Sequence, residues 1–127
     1  MVYLLRPGTA GNLMRVTAVL TWGARSHSGD PGHVLEMVVP LMPGAQLDIG
    51  EVARRQCPVS RRVKGVALWS GRLVVEDETC FLHADDDDDP IWFITFGPLR
   101  PGDYLTVYKP HGDLFRFQTV KVDPVDL

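Results

Sequence analysis

The sequence predicts an all-β fold: one antiparallel β-sandwich domain over residues 1–127, with about seven or eight strands and a short helix near 48–56. Three observations predict it. Apolar residues recur with period two in several short runs, as they do in half-buried strands. Glycine (12) and proline (10) are plentiful and punctuate those runs as turn residues do. At 127 residues, 45% hydrophobic and 23% charged, the chain can bury a core without staples.

In "LMRVTAVLTW" (13–22), Met14, Val16, Ala18, Leu20 and Trp22 share one parity, and Arg15, Thr17 and Thr21 the other. "ARSHSGDPG" (24–32) is a polar loop. "HVLEMVVPLM" (33–42) alternates again with Leu35, Met37, Val39 and Leu41 inward; Pro40 lacks an N–H and belongs at an edge or bulge. "LDIGEVARRQCP" (47–58) is the helix candidate. Asp48 and Glu51 have capping-box spacing, Leu47 and Val52 that of a hydrophobic staple, and Pro58 ends it. "RVKGVALW" (62–69) and "RLVVEDETCFLH" (72–83) read as a hairpin turning at Ser70-Gly71. "IWFITF" (91–96) is apolar on both parities, the pattern of a strand buried on both faces. "DYLTVYK" (103–109) and "LFRFQTVKV" (114–122) follow. In the last run Phe115 and Phe117 disagree in parity with Val120 and Val122, which predicts a bulge near Gln118-Thr119.

The segment "FGPLRPGDYLTVYKPHGDLFRFQTVKV" (96–122) resembles the closing hairpin of immunoglobulin-like and transthyretin-like sandwich domains. That resemblance implies a sandwich and says nothing of function. The segment is also similar to sortases, with a phenylalanine, a leucine and a Gly-Asp pair downstream of His83. The nucleophilic cysteine of that family follows this region, and no cysteine follows Cys80 here, which excludes that reaction.

Formal net charge is −3, and one run decides its sign. Without Asp85, Asp86, Asp87, Asp88 and Asp89, 13 basic side chains face 11 acidic ones. Arg54, Arg55, Arg61, Arg62 and Lys64 form a basic cluster within 54–64. Opposite clusters on one chain suggest a non-catalytic binding or assembly module that associates with a protein partner, or with itself as a homo-oligomer, through charge. The acidic run is similar to the tracts of nucleoplasmin-type histone chaperones, which implies a basic partner.

The rival reading is a metal-binding protein, for calcium or a transition metal, or a metal-dependent enzyme. It would use His83, Asp85 and Asp87, with Asp77 or Asp113 as calcium ligands from a second loop. Five adjacent aspartates cannot converge on one calcium, since neighbouring side chains diverge. A solvated loop tip is the plainer account of the run. His27, His33, His83 and His111 are scattered, and His33 and Met37 on one strand face lie about 13 Å apart at about 3.3 Å per residue.

No catalytic residue is assigned and no cofactor is implied. Ser26-His27-Ser28 with Asp30 lies on a loop, and no G-x-S-x-G, H-E-x-x-H or phosphate-binding glycine loop is present. Nucleic acid is disfavoured because no aromatic residues interleave with the basic cluster. No apolar run approaches the roughly 18 residues of a membrane span, and "MVYLLRPG" is too short for a signal peptide, so the expectation leans to the cytoplasm, with a leader already removed as the alternative. Cys57 and Cys80 are two thiols in a reducing compartment and a potential pair in an oxidising one.

Overall fold

Strict alternation gives each strand one apolar row, and that row must face another layer or the inside of a closed cylinder. The chain takes the second course. The computed structural model describes residues 12–23, 29–86, 91–110 and 112–125. Its strands are β1 (Asn12–Gly23), β2 (Asp30–Leu41), β3 (Pro58–Val63), β4 (Val66–Glu76), β5 (Thr79–Ala84), β6 (Trp92–Phe96), β7 (Tyr104–Tyr108) and β8 (Leu114–Pro124), with helix α1 (Ile49–Val52) between β2 and β3. Each strand pairs antiparallel with its sequence neighbour, and β8 pairs back onto β1, from Met14↔Pro124 to Gly23↔Phe115. The expected all-β antiparallel character is present; the expected sandwich is not. Alternation alone does not distinguish two sheets from one closed sheet, because both need one apolar face per strand. The β1–β8 pairing closes the cylinder.

Bulges help the closure by bending strands. Register slips on β8 between Lys121 and Thr119, where Val120 is the extra residue, close to the bulge expected from sequence. On β1 the slip leaves Thr21 unpaired with β8, and its hydroxyl donates to the Arg116 carbonyl at 3.0 Å. That slip turns Trp22 outward, off the parity of Leu20. The inside is filled by the inward rows: Val16, Ala18, Leu35, Met37, Val39, Val59, Leu73, Leu82, Ile94, Leu105, Val107 and Phe117 are all buried.

Three local expectations change. The hairpin does not turn at Ser70-Gly71. β3 and β4 are joined at Lys64-Gly65 and β4 and β5 at Asp77-Glu78, and all four residues have positive φ, as two-residue hairpin loops of type I′ require. Gly71 serves space instead: a Cβ there would meet the β5 backbone at His83 and Ala84 and lie 2.6 Å from the Trp69 ring. β6 is not buried on both faces, since a barrel has one inner face; Ile94 is buried and Phe93 and Thr95 are exposed. The helix is a single turn. Its start is as expected, with the Asp48 carboxylate accepting from the Glu51 amide at 3.2 Å. Pro40 sits where its missing N–H costs nothing: its carbonyl accepts from the Asp48 amide on the side away from β1.

Candidate cationic site at one barrel mouth

β3 contributes the decisive residue. Its inward row runs Val59 then Arg61, so a guanidinium enters the interior where the pattern calls for an apolar side chain. Arg61 lies opposite Leu35 on β2 and Trp69 on β4. Its Nε and Nη1 are buried and have no hydrogen-bond partner. It makes no ion pair among the described residues; its guanidinium carbon lies 5.1 Å from the Trp92 ring centroid. Burial holds its pKa below the usual arginine value, but an arginine keeps its charge in proteins.

The neighbours of Arg61 are placed by equally local causes. His33 enters β2 after an Asx-type turn in which Asp30 accepts from the Gly32 amide at 2.9 Å. The Gly32 carbonyl accepts from Lys64, tying that turn to the β3–β4 hairpin. His33 is 9% exposed, meets Phe115 and Phe117 edge to face, and has a buried Nε2 without a partner. Burial first, then the charge of Arg61, pushes its pKa below the imidazole norm; Asp30 opposes them, and Lys109 adds a smaller push downward. Trp69 lies in the space that Gly71 leaves free, 6.2 Å from Trp92, with its Nε1 buried and unpartnered. Lys109 follows β7, held by its amide to the Asp113 carbonyl at 2.8 Å. Its Nζ lies 5.5 Å from the Trp92 ring and 5.0 Å from Phe115. Trp92 and Phe115 stack at 6.4 Å.

The result is one continuous cluster near the end of the barrel where β3 meets β4 and β7 meets β8. Two permanent cations and a neutral imidazole are set among three aromatic rings. The cations rest against ring faces, an attraction of about 0.5–2 kcal/mol each, and Arg61 Nε and Nη1 have no hydrogen-bond partner. Arg61 and Trp69 offer only donors, and so does Lys109.

The residues expected to act from sequence are distributed differently. The basic cluster is not one patch. Arg54 and Arg55 are exposed just before β3, and Lys64 is exposed just after it, at the opposite end. Arg54 pairs with Glu51 at 3.1 Å. Arg62 faces outward and pairs with Glu36 at 3.5 Å, which also meets Arg15 at 3.9 Å. Arg61 alone of the five points inside.

Asp85 and Asp86 are exposed after β5. The Asp85 amide and carboxylate both bond to Ser70, the carboxylate accepting from the hydroxyl at 3.0 Å. Asp87, Asp88 and Asp89 lie outside the described residues, as do His27 and His111. His83 lies on β5 opposite Arg72, half-buried. Among the described residues no three histidine, cysteine, aspartate or glutamate side chains come close enough to hold a metal ion. Asp77, in the β4–β5 turn, is at the end of β5 remote from Asp85. Cys57 and Cys80 are unpaired; burial raises both thiols, Cys57 to about 11, so neither is a ready nucleophile. No helix of the described residues is long and apolar enough to cross a membrane.

Sequence reasoning missed the cluster because it began a strand at Arg62. Starting that strand at Pro58 gives Val59, Arg61 and Val63 one parity, and an inward arginine is then visible. The comparisons add nothing to this geometry: no protein-family model, no curated protein and no solved structure matches the chain.

Proposed function

We propose that the protein is a binding module that captures a small organic anion at its cationic barrel mouth. One observation carries the reading: buried, unpartnered polar nitrogens on Arg61, His33 and Trp69 gather in one place. Folded proteins satisfy nearly all their buried polar groups, and a charged donor left without an acceptor costs more than a neutral one. A constellation of unused donors is therefore incomplete without an acceptor, and an anion supplies it. Arg61 provides charge and planar donors, Lys109 a second charge, and Trp69 Nε1 a directed neutral donor. An eight-stranded barrel is wide enough for side chains or one small ligand, and here side chains occupy the space beneath the mouth.

The proposal keeps the non-catalytic class and changes what is bound. Self-association through acidic and basic clusters is not favoured, because the basic cluster is divided between two ends and two faces of the barrel. The test is calorimetric titration of the intact chain with benzoate, acetate and sulfate. The expected result is one saturable site for an organic carboxylate, lost in Arg61→Met and retained in Arg54→Met. Absence of saturable heat with every anion would end the proposal.

A further inference from the structure

We infer that the ligand is a short, planar aromatic carboxylate, with its carboxylate on Arg61 and its ring against Trp69 and Trp92. This rests on the anion-binding reading above and goes further by choosing among anions. Three features of the cluster make the choice.

The first is charge. Arg61 and Lys109 are the permanent cations in contact with the rings, Asp30 acts on His33 from the β2 side, and the exposed Asp85 and Asp86 line a depression beside Trp69 at the same end, so the surplus positive charge is small. Two cations suit one carboxylate; a polyphosphate brings more negative charge than they match. A guanidinium also fits the planar two-oxygen geometry of a carboxylate.

The second is the wall. Trp69, Trp92 and Phe115 form a ring series, Trp69 tilted 32° to Trp92 at 6.2 Å and Trp92 stacked 20° to Phe115 at 6.4 Å. Offset aromatic packing of this kind adds about 0.5–1.5 kcal/mol per pair beyond the burial of area. An arene extends the series; a flexible alkyl chain gains only the burial.

The third is depth. Below the cluster, Phe117, Met37, Leu82, Ile94 and Leu105 are each at most 1% exposed, so they fill the barrel. An acyl chain would have to displace well-packed side chains, whose interior density leaves few voids. The ligand is limited to the mouth, which favours one or two fused rings over a long tail.

The experiment uses the tryptophan emission of the intact chain, read against 1-naphthoate, its neutral amide 1-naphthamide, and decanoate. The expected result is that 1-naphthoate binds at least about tenfold more tightly than either of the others, since it alone combines the charge with the stack. Arg61→Lys should keep part of that affinity, and Arg61→Met should bring 1-naphthoate down to the level of the amide. Trp69→Leu should weaken 1-naphthoate without weakening benzoate to the same degree, because benzoate has less ring to stack. Decanoate binding as tightly as 1-naphthoate would overturn the aromatic inference and leave the anion reading standing. Equal binding of the amide would remove the role of charge and with it the anion reading. Failure of all three, with benzoate still bound by calorimetry, would overturn the inference alone.

Discussion

The two ends of this barrel solve the same problem in opposite ways. At one end the β2–β3 and β6–β7 connections fold over the opening. Leu99 is 1% exposed, and its amide donates to the Ala45 carbonyl at 2.9 Å, joining the two connections. Val52 on α1 and Cys57 before β3 are buried beneath them, and Leu47 bridges back to Leu41. Apolar groups seal the interior there, with the Thr119 hydroxyl as the one buried polar side-chain group without a partner among the described residues of that end, and backbone bonds such as Met42 to Gln46 and Gly102 to Thr119 tie the covering loops down. At the other end the interior rows finish in Arg61, His33, Trp69, Trp92 and Phe115, with Lys109 beside them. Polar nitrogens are buried there without acceptors. Stability accounts for the first end. It does not account for the second, because an apolar residue in place of Arg61 would complete the row from Val59 at no electrostatic cost. A local departure from the pattern of the fold, compensated among the described residues by a ring face and not by an acceptor, is where function is expected.

The contrast can be broken by substitution, beginning with the largest effect. Leu99→Ala should destabilise the protein by about 2–5 kcal/mol, the range for truncating a fully buried leucine. Urea unfolding measures it, and a loss below about 1 kcal/mol would mean that the loop is not a seal. Arg61→Met should have the opposite sign, raising stability by about 1 kcal/mol by removing buried unsatisfied donors while keeping the side-chain volume. The same unfolding experiment reads it. Destabilisation instead would show that the guanidinium is part of the packing rather than reserved for a ligand.

The third effect sharpens the comparison through pH. The folded-state pKa of His33 lies below the unfolded value of 6.5. As pH falls through 6.5, the unfolded chain takes up a proton that folded His33 resists, so stability declines. It is fully present above that value and lost progressively toward the lower folded pKa. Unfolding free energies measured across this range should slope less in His33→Phe than in the wild type. Equal slopes would mean that His33 is not held neutral at the mouth.

The sequence shows the sealed end better than the cationic one. The Asp48 cap was legible because capping is a short-range exchange between a carboxylate and an amide three residues on. The break of parity in β8 was legible because Phe117 and Val122 cannot share a face without an extra residue, and the structure inserts Val120. The turn at Lys64-Gly65 was missed because Ser70-Gly71 gave a competing signal. Gly71 is demanded by the Trp69 ring and the β5 backbone, neither of which local sequence reveals. With that turn misplaced, Arg61 fell outside a strand and its inward direction was hidden.

What the sequence determined by itself is local and periodic: strands from alternation, a capped helical turn, the bulge, and an all-β class. These follow from the side-chain period of an extended chain and from hydrogen bonds made within a few residues. Only the tertiary structure decided that β1 and β8 pair to make a barrel. It alone brought Arg61, His33, Lys109 and three aromatic rings from six separate segments to one mouth. Closure and clustering depend on contacts between residues far apart in the chain, and the period of a single strand is the same whether its partner is a second sheet or the far edge of its own.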